Sequence, residues 1–235
     1  MIKMDRMKPY QDARSLLAKL MQAIDSRNEK SFASESLPLD DKPTLSLFAK
    51  GDTENIPMFD DAESKIHLNR MKPDCFEDLC ICYLLTCPGF VQENLEQYIT
   101  RKLSQEKISY PFSALKPILE YTHGVFVYQE QGMRSLEILA SFTKEESKAA
   151  RRMSCKRHME GMAQYQILFL EKGMANGYSR KSLEDFWEFY SRYCVDFNAE
   201  RGFIINTVFT SYSIAYIKAH YPDLFSEVMG TVKEI

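Results

Sequence analysis

The chain has 235 residues, 45% of them apolar, and 30 basic against 33 acidic side chains give it a net charge of −3. That is room for one large domain or two small ones, with core enough to fold without a metal or a disulfide. The near-balanced charge argues against wholesale nucleic-acid or membrane binding and leaves only a local basic patch to consider.

The first predicted element is a helix from Pro9 to about Arg27, on an apolar stripe of Leu16, Leu17, Leu20, Met21 and Ile24. Residues 28–43 hold serines and prolines with few bulky apolars and read as a linker. Thr44–Lys50 and Ile56–Phe59 are strand candidates, with Gly51 and Asn55 in the turn between them; Pro57 would confine the second to an edge. Asp74 with Glu77 predicts the start of a helix carrying Phe76, Leu79, Cys80, Tyr83, Leu84 and Cys87 on one face, ended by Pro88-Gly89. A second helix is expected from Val91 to Leu103. Val125–Gln129 and Ser135–Phe142 are rich in β-branched and aromatic residues around Glu130-Gln131-Gly132, which predicts a β-hairpin near 124–142.

The chain then turns helical. Thr143 and Glu146 form a capping box for a helix reaching at least Glu160. Residues 164–171 are apolar all round and fit either a buried helix end or a buried strand. Ser182 is expected to cap a helix of Leu183, Phe186, Trp187, Tyr190, Cys194 and Phe197. A further helix spans about Phe203–His220, and a last short one Asp223–Met229. The expected fold is therefore α+β and predominantly α-helical, with a helical bundle in the C-terminal half and a small β-hairpin. Residues 1–43 form an N-terminal helix and mobile linker, and 44–235 a single mainly helical domain.

Four of the six cysteines, Cys75, Cys80, Cys82 and Cys87, crowd into one predicted helix, and Cys155 and Cys194 follow. One helix cannot wrap four thiolates around an ion, so they are read as packing residues, with no metal site and no cofactor. The crowding fits a reducing, cytoplasmic compartment. No apolar run reaches a membrane span and the charged N-terminus lacks a signal core, although signal-less export would leave no such trace. His67, His123, His158 and His220 fall in no paired-ligand spacing. No phosphate loop or nucleophile elbow is present, so no catalytic residue is assigned.

Two features remain. Lys148, Arg151, Arg152 and Lys156 fall within an arc of about 140° on the helix after Thr143, one basic face fit for phosphates or an acidic partner. The segment 183–225 carries more rings than one stripe can bury, and Phe189 and Tyr193 lie off the apolar stripe of their helix. Together they support a non-enzymatic protein-interaction module, an adaptor or subunit of a larger intracellular assembly. Its partner-binding residues would be Lys148, Arg151, Arg152, Lys156, Phe189 and Tyr193. Another protein is the expected partner, ahead of nucleic acid, and self-association is left open. The alternatives are an enzyme using a cysteine with His123 or His158, or a nucleic-acid-binding regulator working through the basic helix 148–158.

Overall fold

A computed structural model describes residues 7–27, 32–85, 92–104, 108–156, 158–196 and 200–233. Among them every regular element is a helix, which corrects the expected α+β class. The chain divides into two compact units, residues 1–87 with 202–235, and residues 88–201. The division expected at residue 43 falls inside the first. No helix among the described residues is long and apolar enough to cross a membrane.

The first unit holds α1 (Met7–Asp25), α2 (Lys42–Lys50), α3 (Ala62–Met71), α4 (Phe76–Leu85), α12 (Pro222–Lys233) and most of α11 (Arg201–His220). Ala13, Leu20 and Ile24 of α1 are buried against Ile214 and Ile217 of α11 and Leu224 and Phe225 of α12. In place of the first expected strand stands α2. Asp41 accepts from the Thr44 N–H at 2.9 Å, Pro43 occupies its first turn, and Gly51 closes it at φ +68°. Its inward Leu45 and Phe48 are three apart, the helical spacing that seven residues alone could not distinguish from alternation. Residues 53–59 form successive turns, with Ile56 and Phe59 buried. At the start of α4 the Asp78 Oδ2 accepts from the Asp74 and Cys75 N–H groups at 3.0 and 3.4 Å. The expected stop at Pro88-Gly89 lies outside the described residues.

The second unit holds α5 (Gln92–Leu103), α6 (Lys116–Leu119), α7 (Gln129–Ala140), α8 (Lys144–Cys155), α9 (Met159–Ala175) and α10 (Arg180–Asp196). Helices α7 to α10 pack on one another around Leu136, Leu139, Phe142, Phe169, Leu183, Phe186 and Trp187. The expected hairpin is absent for a specific reason. Val125–Tyr128 is a buried lead-in outside any regular element, and two of its donors find a side chain instead of a strand: Gln131 Oε1 accepts from the Val127 and Tyr128 N–H groups at 2.7 and 2.9 Å. The same amide donates to Ile118 O and Thr122 Oγ1. Gly132, expected in a turn, is a small residue on the buried face of α7 together with Ser135, Leu136, Leu139 and Ala140. Residues 164–171 are helical throughout, within α9.

Candidate functional site

The basic face is built on α8. The Thr143–Glu146 capping box forms as the sequence predicts. The helix stops at Cys155, short of Glu160, because His158 starts α9 by accepting the Gly161 N–H on Nδ1 at 3.0 Å. The inner face of α8 is small and polar, with Ser147, Ala150 and Ser154 buried. Ser147 Oγ bonds Glu137 of α7 at 3.0 Å.

Outward, Lys148, Arg152 and Lys156 are exposed, and so is Lys144, one turn earlier on the same face. The four stand at i, i+4, i+8 and i+12, a row about 18 Å long on a helix rising 1.5 Å per residue. Among the described residues no carboxylate pairs with any of them. Arg151 differs, being half-buried and already engaged within the chain. Arg157 lies outside the described residues.

A row of like charges at four-residue spacing opposes its own helix, by roughly 0.2–0.5 kcal/mol for each adjacent pair. What offsets this is local. Glu146, in the first turn of α8, accepts both bonds of Lys172 from α9, at 2.8 and 2.9 Å. Lys172 Nζ also stands 5.2 Å from the centre of the Phe142 ring. The Lys172 hydrogen bond and the Thr143 N–H hold the Glu146 carboxyl below its ordinary value.

The aromatic feature resolves differently. Phe186, Trp187 and Tyr190 of α10 are core. Phe189 is 43% exposed, yet its ring lies 5.1 Å from Phe126 and 6.2 Å from Phe186. The side chain of Tyr193 lies outside the described residues. A groove of about 830 Å³ runs between α9 and α10, with Met162 and Trp187 on its apolar side and Lys181, Glu184, Asp185 and Glu188 along its charged wall.

Cys80 and Cys82 are buried, and burial pushes the Cys82 thiol pKa up. Cys87 and the side chain of Cys194 lie outside the described residues. Asp74, Cys75 and Asp78 bring potential ligand atoms within 4.8 Å of one another, but the Asp78 carboxylate is taken by the N–H groups at the start of α4. His123 sits in a left-handed turn at φ +50°, its ring against Tyr98 and its carbonyl accepting from Arg101.

Comparison with known proteins places this framework. Residues 13–177 match the bacterial DNA polymerase III alpha subunit finger domain. The DNA polymerase III alpha subunit of Aquifex aeolicus is 33% identical over 199 residues, covering 84% of this chain and 17% of the relative. That of Escherichia coli K12 is 30% identical over 203 residues, covering 83% and 17%. That of Streptococcus pyogenes is 31% identical over 195 residues, covering 83% and 18%. The chain thus spans less than a fifth of the relatives it matches. These matches overturn the expected non-enzymatic adaptor, and with it the Cys/His enzyme and the regulator: the matched domain is part of a DNA polymerase subunit, and the matches do not test nucleic-acid contact by the basic face of α8.

Proposed function

Because this chain belongs to the finger-domain family of the bacterial DNA polymerase III alpha subunit, we propose that it serves DNA synthesis by holding nucleic-acid phosphates on the outer face of α8. Lys144, Lys148, Arg152 and Lys156 are the residues that do so. The supporting observation is the unpaired cationic row, which opposes the helix that carries it and has no structural partner among the described residues. Exposed ammonium and guanidinium groups meet phosphates without desolvating a buried ion pair, and arginine adds a bidentate fork. The row reads no sequence, because bonds to phosphates fix position and register while base edges carry specificity.

The test is the salt dependence of binding. Fluorescence anisotropy of a labelled primer–template duplex, titrated with this chain at several salt concentrations, should give a linear fall of log affinity with log salt. Replacing Lys148, Arg152 and Lys156 together by glutamine should make that slope shallower by about 0.9 for each phosphate no longer neutralised. A slope unchanged by the triple substitution overturns the proposal.

A further inference from the structure

The row can grip phosphates only if α8 holds its roll and pitch, and its inner face is poorly built for that. Ser147, Ala150 and Ser154 offer no large side chain to lock into a neighbouring helix. Four like charges along the outer face push the helix toward fraying. At its C-terminal end α8 is tied by chain connectivity: the Lys156 N–H bonds Arg152 O, the His158 N–H bonds Met153 O at 3.0 Å, and α9 begins at once. At the N-terminal end Lys172, 26 residues further on, ties α8 itself to α9 through its two bonds to Glu146, beside the Phe142 ring that packs on Tyr165 and Phe169 just ahead of the helix.

We propose that Lys172 and Glu146 are positioning residues: their bridge closes the open end of the α8–α9 hairpin and thereby sets where Lys144 and Lys148 present their charges. This rests on the phosphate-binding reading of the row. Two features make the bridge more than a surface ion pair. The side chains are only 33% and 29% exposed, and the lysine is flanked by the Phe142 ring. Glu146 is also the capping-box acceptor for the Thr143 N–H, at 2.7 Å, so one carboxylate fixes both the start of α8 and its attachment to α9.

A direct role for Lys172 in phosphate binding and a positioning role make opposite predictions for Glu146→Gln. Glutamine keeps the capping box but gives up the ion pair. Were Lys172 a phosphate ligand, E146Q would free a cation, remove an anion and tighten binding. As a positioning pair, E146Q must weaken duplex binding despite the more positive protein, by about three- to tenfold on the scale of a partly buried ion pair. K172M should weaken it comparably and K172R should restore it. Amide hydrogen exchange supplies a readout independent of DNA: in E146Q the amides of residues 146–150 should exchange faster while those of α10 are unchanged. Equal or tighter duplex binding by E146Q overturns the inference, as does weakened binding with unaltered α8 protection. If the triple glutamine variant of the row binds as the parent does, the phosphate-binding reading itself has failed, which the exchange data would not mimic.

Discussion

Helices α8 and α10 belong to the same bundle and solve the same problem in opposite ways. α10 turns Leu183, Phe186, Trp187 and Tyr190 inward and closes the outer charges of its first turns on themselves: Arg180 pairs with Glu184 at 2.9 Å and Lys181 with Asp185 at 2.7 Å. Each is an i, i+4 pair of opposite sign that neutralises locally. α8 turns small residues inward and leaves an i, i+4 row of one sign outward. The first pattern is that of a helix whose charges serve solubility. The second is stabilised from elsewhere, through Glu146 and Lys172, and in the proposed phosphate-binding role it is completed by a ligand that brings negative charge. Both helices are rich in charge, so the distinction lies in whether neighbours cancel.

The contrast is broken most severely on the α10 side. Trp187→Ala removes a nearly buried ring that packs 5.3 Å from Phe169 and 5.4 Å from Tyr190. It should destabilise the second unit by about 3–5 kcal/mol. Since Trp187 is the only tryptophan, the measurement is urea denaturation followed by circular dichroism. A loss under about 1 kcal/mol would mean that α10 is not the anchor of the bundle. Gln131→Leu is next. It keeps the volume of α7's buried position but leaves the Val127 and Tyr128 N–H groups without their acceptor. A loss of about 2–3 kcal/mol is expected in the same assay; a neutral outcome would show that the lead-in finds other acceptors.

Gln131 also explains what the sequence hides. Long helices with strong local signals are legible: Thr143 with Glu146 and the stripe of α1. The expected strands fail where the deciding partner is distant or unusual. Val125–Tyr128 has strand-like residues, but the N–H groups of Val127 and Tyr128 end on one glutamine amide three or four residues on, which periodicity cannot register. Thr44–Lys50 is too short for its period to decide, and the Asp41 cap that makes it a helix lies in a stretch that reads as linker. Of the candidate site, the charge arc is visible and its extension to Lys144 is recoverable from four-residue spacing. Lys172 is not recoverable, because nothing in the chain says that a residue of α9 returns to the first turn of α8.

A smaller effect tests that return directly. The carboxyl of Glu146 is held below its ordinary value first by Lys172 and then by the Thr143 N–H. A lowered folded pKa contributes stability that is present above the unfolded value, near 4.5, and is lost as pH falls through the folded one. Glu146→Gln should lower stability by roughly 1 kcal/mol at neutral pH and narrow the gap to the parent protein as pH falls below about 4.5. Asp41 and Asp61 titrate in the same acid range. Burial pushes both up, but hydrogen bonds from Thr44 and His220, and from Ser64, outweigh it and leave both lowered. The diagnostic is therefore the difference between variant and parent, not either curve alone. A gap constant from about pH 7 to about pH 3 would mean that the carboxylate makes no net contribution through its charge.

The finest prediction concerns Lys148, which has a like-charged neighbour one turn away on each side, Lys144 and Arg152. Lysine and glutamine have similar helix propensities, so Lys148→Gln isolates the charge. Relief of two repulsive pairs should stabilise the second unit, by about 0.4–1 kcal/mol at low ionic strength. The gain should shrink as salt shortens the screening length toward about 8 Å. The same substitution should weaken primer–template binding and reduce its salt slope by about 0.9. The signs are opposite, and that opposition separates a ligand-binding face from a solvated one: a surface charge without a ligand can show the first effect but not the second. Destabilisation by Lys148→Gln would mean that the lysine is structurally engaged after all, and the contrast with α10 would lose its basis. Stabilisation with unaltered duplex binding would leave the row a repulsive surface with no partner in DNA.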